Sequence, residues 1–311
     1  MNISHSVCKF LWNQPWFKPE QGRSIYKKLC QRGEAPDFPF EKDFFGLRYA
    51  GNLQNNIDFN VFYYGAFEKP LLFFLRDCLA AIQSPPVVCC DIGANIGQHS
   101  LFLSQLADQV HAFEPYKKVR DRLEQQIALN RIDNLTVHPV GLSDQRQSLP
   151  FFAPTGHNEG IGSFDARTTK KGNRSIGELT LERGDDYFEL HGIRSIDLMK
   201  VDVEGFEKSV LTGLRHILER DRPVVVCEIT YGSELSITSL EELVALFPKH
   251  YEFFTFDVRK PDGSKARRRE ARARQSGAYH LVPFDFRFQK GQDDIIACPV
   301  EKLEKLPRSN A

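Results

Sequence analysis

From Val87 onward the chain alternates short apolar runs with stretches of helical period. VVCCDI (87–92), QVHAFEP (109–115), LTVHPVGL (135–142), IDLMKVDV (196–203) and VVVCEIT (224–230) are the runs. SLFLSQLA, KKVRDRLEQQIALN and KSVLTGLRHILER supply apolar residues at helical spacing between several of them. Such alternation predicts an α/β fold with a mostly parallel sheet covered on both faces, whose ligands bind at the carboxyl ends of the strands. Upstream, FGLRYAGNLQNNIDFNVFYYGAFEKP (45–70) predicts short strands around the turn-prone region Asn52 to Asn56, and LLFFLRDCLAAI predicts a helix ending before Pro85 and Pro86. Downstream, SLEELVALFPKH reads as a helix, YEFFTFDV as a strand and DDIIACPV as a final strand. The expected organisation is an extension over residues 1–80 and a main domain over 81–311, interrupted by an insertion at about 260–292 that stays outside the sheet. The first half of that insertion is expected to be mobile.

The first apolar run feeds DIGANIGQHS, a strand entering a glycine turn and then a helix start. There the backbone can approach a ligand and unpaired amides can meet its polar atoms. The dinucleotide spacing G-x-G-x-x-G needs Gly at 93, 95 and 98, whereas the chain has Gly93, Asn95 and Gln98, which weakens an NAD reading. No Lys-Ser or Lys-Thr follows, so a P-loop fails. Glu114 ends the second run about twenty residues on, where a carboxylate can accept hydrogen bonds from ribose hydroxyls. Ser143 and Asp144, in GLSD, can accept from an exocyclic amine.

DIGANIGQHS, AFEP, VGLSD, MKVDVEGFEKSVLTG and PVVVCEI together resemble the FkbM-type family of class I S-adenosylmethionine-dependent methyltransferases, with YYGAFEKP and DDIIACPV also similar to it. The resemblance covers about Val87 to Thr230. It implies a Rossmann-like, seven-stranded sheet with a terminal antiparallel hairpin and S-adenosyl-L-methionine as cofactor. It further implies that Asp91, Gly93, Asn95 and Gly97 line the methionine part, Glu114 the ribose and Asp144 the adenine. Ala94, His99, Pro115, Ser143 and Asp202 complete the expected cofactor-binding set.

Lys200, Asp202 and Glu204 lie at the end of the fourth run, and alternation puts them on one side if the strand continues. They are the candidate catalytic residues together with Glu228, at the end of VVVCEI, with Asp202 or Glu204 handling the acceptor's proton. The competing expectation is an internal network that ties the strand to the next helix. Asp202 and Glu228 form at most two ligands of a hard cation, so a metal is left open. His99 is either a helix-start residue or a contact to cofactor or acceptor, and His157 and Glu159, in GHNEGIGSF, lie in a Gly-rich loop that can fold over the acceptor.

Composition narrows the partners. Of 311 residues 41 are basic and 41 acidic, so no whole-molecule field draws nucleic acid or an anionic membrane. The local exception is Lys265, Arg267, Arg268, Arg269, Arg272 and Arg274, with Tyr279, Phe284, Phe286 and Phe288 nearby. This segment allows a rival reading as an RNA methyltransferase, while a solvated loop or a contact to an anionic small molecule, glycan or carrier fits it as well. A non-catalytic cofactor-binding scaffold is a further alternative. The seven Cys lack CxxC pairs, and adjacent Cys89 and Cys90 point to opposite strand faces, as buried thiols suited to a reducing cytosol. The N-terminal residues do not read as a signal peptide and no apolar segment is long enough to span a bilayer, which predicts a cytoplasmic protein. The expected activity is O-methylation of a sugar, glycan or secondary metabolite, the hydroxyl preference coming from the resemblance.

Overall fold

The computed structural model describes residues 6–7, 10–11, 14, 16–17, 19–31, 37–82, 85–154, 162–164, 166–232, 235–286 and 291–310. In order, the strands are β1 (Pro39–Phe44), β2 (Leu47–Asn52), β3 (Val88–Ile92), β4 (Gln109–Phe113), β5 (Leu135–His138), β6 (Gly141–Ser143) and β7 (Gln147–Pro154). They continue with β8 (Asn173–Arg183), β9 (Ile196–Val201), β10 (Val224–Thr230), β11 (Tyr251–Phe256), β12 (Leu281–Pro283) and β13 (Gln292–Pro299). Among the helices are α1 (Pro19–Gln31), α2 (Asn56–Tyr64), α3 (Lys69–Ile82), α4 (Gln98–Leu103) and α5 (Lys117–Asn130). They are followed by α6 (Gly184–Leu190), α7 (Glu207–Gly213), α8 (Arg215–Asp221), α9 (Leu240–Leu246) and α10 (Arg267–Ser276).

The main sheet runs β12-β11-β13-β10-β9-β3-β4-β5. Its β5, β4, β3, β9 and β10 are parallel neighbours, while β13 runs antiparallel between β10 and β11. This is a Rossmann-like sheet with one strand more than the seven expected from the resemblance. The apolar runs become strands because both of their faces are covered: every residue of β3 is buried. Alternation sends Cys90, Ile92, Met199 and Val201 to a core shared with α7 and α8, and Cys89, Leu198, Val224 and Val226 to a core shared with α3. Cys89 and Cys90 are therefore separate buried thiols on opposite faces.

The structure corrects several sequence expectations. Residues 56–64 are the helix α2 and not a strand, because Asn55 caps it: Oδ1 accepts from the amides of Ile57 at 2.8 Å and Asp58 at 3.4 Å. The run LTVHPVGL breaks at Pro139, which has no amide to give a ladder, and β6 joins a three-stranded sheet with β8 and β7. The helical stretch KSVLTGLRHILER divides at Gly213, whose missing Cβ would lie 1.9 Å from the Ser143 carbonyl oxygen. The insertion also enters the sheet, since β12 pairs antiparallel with β11. Its basic half is the helix α10, closed by Gly277 in the left-handed conformation (φ 78°).

Candidate active site

At the carboxyl end of β3 the chain bends sharply. The amides of Gly93 and Ala94 both donate to the Phe113 carbonyl at 3.0 Å, which ties the turn to β4. Gly93 has φ 85°, and a Cβ there would lie 1.9 Å from the backbone oxygen of Asp202. The turn thus rests directly on the backbone that follows β9. Asn95 takes φ 53°, which aims its amide at Glu114 Oε2 (2.9 Å), while Glu114 Oε1 accepts from the Tyr116 amide (2.8 Å). Burial raises the Glu114 carboxyl to about 7 against the opposing pull of those two amides. Asp91 is fully buried; its Oδ2 accepts from Ser100 Oγ at 2.5 Å, and its Oδ1 receives no hydrogen bond among the described residues.

Gln98 stands where the dinucleotide pattern would have its third glycine, and its side chain clamps a segment from far upstream. Its amide nitrogen donates to the Phe67 carbonyl at 3.0 Å, and its amide oxygen accepts from the Phe67 nitrogen. The next residue, Glu68, is thereby held against the turn, with Oε2 3.4 Å from His99 Nε2. Burial first, then the neighbouring Asp202 carboxylate, raises Glu68 to about 7, with Lys200 and Lys265 opposing. Burial and then the Lys200 charge lower His99 to about 4, so its imidazole is neutral at physiological pH.

The acidic wall grows from the ends of β9 and β10. Lys200 Nζ donates to Asp202 Oδ2 at 2.9 Å and stands 4.0 Å from Asp91 Oδ1. Burial disfavours its charge, yet Asp202, Asp91 and Glu68 outweigh that and hold the ammonium well above its usual range. After β9 ends at Val201 the chain turns through Glu204 (φ 53°) and Gly205, and Glu207 Oε1 fixes the turn by accepting from the amides of Val203 (3.1 Å) and Gly205 (2.9 Å). Burial, followed by Asp202, Glu207 and Glu68, raises Glu204 to about 8. Glu228, opposite Asp294 in the β10–β13 ladder, accepts from Gln292 Nε2 at 2.7 Å. Burial, Asp202 and Asp294 push it up to about 11.

These groups meet in one cavity of about 230 Å³. Of the sequence-predicted residues, Gly93, Ala94, Asn95, His99, Lys200, Asp202, Glu204 and Glu228 line it. Glu114 reaches it through the Asn95 amide, Asp91 through Lys200, and Gly97 supports the turn by leaving room for Leu123, 2.1 Å from where its Cβ would be. Pro115 lies beside Glu114, its carbonyl accepting from Arg120 at 2.9 Å. Ser143 and Asp144 are not brought into the cavity: Ser143 Oγ is buried and donates to Asp144 Oδ1 at 2.9 Å, and Asp144 is exposed. His157 and Glu159 lie outside the described residues. The same holds for Phe288, whereas Tyr279, Phe284 and Phe286 pack in or against the apolar cores. Sequence reasoning missed Asn55, Asn56, Glu68, Gln98 and Gln292, all on the cavity wall. No group of three or more His, Cys, Asp or Glu side chains among the described residues is arranged to hold a metal ion.

The donor set fits a sulfonium nucleoside. A turn with one Asn between two glycines offers few amides for a pyrophosphate, and the buried Glu114 carboxyl presents acceptors to hydroxyls. Among the described residues no helix is long and apolar enough to cross a membrane.

The chain is similar to several methyltransferases. The 2-O-methyltransferase NoeI of Sinorhizobium fredii is 25% identical over 199 residues, spanning 57% of this chain and 81% of NoeI. The hexuronic acid methyltransferase AglP of Haloferax volcanii is 33% identical over 142 residues, spanning 45% of this chain and about half (54%) of AglP. A crystal structure of a methyltransferase FkbM from Methylobacillus flagellatus aligns at a TM-score of 0.40 and 17% identity, covering 68% of this chain and 43% of that one. The profile described as the methyltransferase FkbM domain matches residues 91–254, from the Asp at the glycine turn to the strand β11. The chain belongs to the FkbM methyltransferase family.

Proposed function

We propose that the protein transfers a methyl group from S-adenosyl-L-methionine to a hydroxyl of a sugar, glycan or secondary metabolite. The observation that carries this reading is the convergence of the Gly93–Asn95 turn and the Lys200, Asp202, Glu204 and Glu228 side chains on one cavity. Bound there, the cofactor supplies a methyl group already activated by its sulfonium. Gly93, Ala94 and Asn95 hold its amino-acid end, with Asp91 behind them acting through Lys200, and Glu114 accepts from its ribose. The name of NoeI, a 2-O-methyltransferase, supports an oxygen acceptor, and that of AglP, a hexuronic acid methyltransferase, supports a sugar-derived one.

The chain's own part is positioning and proton transfer. Lys200, itself buried, pins the half-buried Asp202 by an ion pair, which leaves Asp202 poorly placed to take a proton itself but able to orient the cavity's field. Glu204, raised to about 8, has a basicity matched to neutral operation and is the assigned proton acceptor. His99, neutral and beside Glu68, lines the same cavity. The test is calorimetry on the full chain. S-adenosylmethionine and S-adenosylhomocysteine should bind and NAD should not; NAD binding, or no binding by either adenosyl ligand, overturns the reading.

A further inference from the structure

A second cavity, of about 530 Å³, shares Asn56, Phe67, Glu68 and Gln292 with the first. Both open at the carboxyl edge of the sheet, where β10 and β11 end and β13 begins. The inner wall of the second cavity is acidic, with Glu68, Asp293 and Asp294, and its outer wall is the basic helix α10 with Lys265 just before it.

Most of these charges are already matched. Arg269 is paired with Asp257, Arg274 lies 3.4 Å from Glu270 and over the Tyr64 ring, and Asp293 is bound by Arg259 at 2.7 Å. Lys265 and Arg272, both exposed, line the same cavity and form no ion pair within 4 Å among the described residues, Lys265 acting on Glu68 only through its longer-range field. Their helix is held in place. Gly277 approaches Phe73 of α3 so closely that a Cβ would lie 2.4 Å from the ring, Lys69 Nζ donates to the Gln275 carbonyl at 3.2 Å, and Tyr279 Oη donates to Asp77 at 2.8 Å. Two cations on a fixed concave wall are a site for an anion, and a cavity of this volume suits a small molecule.

We propose that this second cavity is the acceptor subsite, and that it selects a polyhydroxylated acceptor carrying an anionic oxo group, a carboxylate or a phosphate, against Lys265 and Arg272. The acceptor's reactive hydroxyl then passes the shared wall at Glu68 and Gln292 into the cavity where Glu204 stands. The proposal rests on the methyltransferase reading for its purpose and on the charge pattern for its content. A long polyanion does not suit the site, because the Glu68 and Asp294 carboxyls opposite would face its other phosphates and the chain has no net positive charge.

The test is a thermal-shift titration of the full chain with glucuronate, glucose 6-phosphate, glucose and an oligouridylate, with and without saturating S-adenosylhomocysteine. At least one of the two anionic sugars should raise the Tm where glucose does not. The charge reversals Lys265→Glu and Arg272→Glu together should reduce that shift at least fivefold while changing S-adenosylhomocysteine affinity less than about twofold. A response to glucuronate alone assigns a carboxylate, and one to glucose 6-phosphate alone a phosphate. An equal shift with glucose, no shift with any sugar, or an anion response that survives the double variant overturns the proposal. A larger, steeply salt-dependent response to oligouridylate overturns it in favour of nucleic acid. Failure of S-adenosylhomocysteine to bind the wild-type chain refutes the cofactor reading separately, because the anion titration is also read without it.

Discussion

The backbone oxygen of Asp202 stands 1.9 Å from where a Cβ on residue 93 would lie, so the glycine turn and the acidic wall are packed as one body. The contact is made at the level of the main chain, between the residue after β9 and the residue after β3, whose strands are parallel neighbours. Any movement of one displaces the other.

Gly93→Ala therefore introduces both a positive φ for a residue with a Cβ and a clash that no side-chain rotation relieves. We expect it to destabilise the fold by about 2–5 kcal/mol, the sum of the left-handed backbone cost and local overpacking. Urea unfolding measures this. A variant within ~0.5 kcal/mol of the wild type would show that the turn and the wall move independently.

The Glu114 carboxyl is raised to about 7 by burial, so its proposed contact to the ribose would make cofactor binding depend on pH. Ribose hydroxyls donate to the ionised form, so the binding-competent form is lost as pH falls through that value. S-adenosylhomocysteine affinity should drop about tenfold per pH unit below the transition and level off above it. Glu114→Gln should cost about 1.5–3 kcal/mol at pH 8 and flatten this part of the profile. Calorimetry at pH 5.5, 6.5 and 8 tests both, and an unchanged pH profile in the variant removes Glu114 from the ribose.

The buried, mostly parallel sheet and the composition of the acidic wall were legible because alternating runs ending in DIG, FEP, KVDVE and CEI carry period and chemistry together. What was not legible came from contacts distant in sequence. Gln98 looked like a missing glycine, yet its bond to Phe67 brings Glu68 thirty residues back into the site. The basic segment read as a loop because its apolar face is too thin for a helical stripe; it is a helix held by its glycine cap and by α3. The strand pattern of residues 56–64 was overridden by the Asn55 cap, a local hydrogen bond that apolar periodicity does not register.

The carboxyl cluster also makes stability depend on pH, with a definite sign. Glu228 ionises near its ordinary 4.5 when unfolded and only near about 11 when folded. Its folded-state pKa is raised, so its contribution is fully present below pH 4.5 and is lost as pH rises toward the folded value. Glu228→Gln keeps an acceptor for Gln292 and removes the ionisable group. The variant should match the wild-type Tm near pH 4.5 and exceed it progressively toward pH 9. A Tm difference that stays constant over that range would show that Glu228 is not held protonated.

The last prediction concerns proton transfer. A hydroxyl is a weak nucleophile at neutral pH, and a positioned base contributes roughly 10²–10⁴-fold. Glu204 lies on a turn braced by Glu207 and is raised to about 8, whereas Asp202 is committed to Lys200 by a 2.9 Å bond. With an accepted substrate, Glu204→Gln should lower single-turnover methyl transfer by about a hundredfold while S-adenosylhomocysteine affinity changes less than about tenfold, as for an interaction made mainly in the transition state. Asp202→Asn should behave differently. It leaves the buried Lys200 ammonium short of its closest counter-charge, so Tm and cofactor affinity should fall along with the rate. Equal rates for Glu204→Gln and wild type would move the base elsewhere, with Glu68 and its neighbour His99 next in line at the same cavity. A Glu204→Gln variant that loses fold stability and cofactor binding together would instead make the KVDVE segment a structural network, and the Glu204 assignment would be withdrawn.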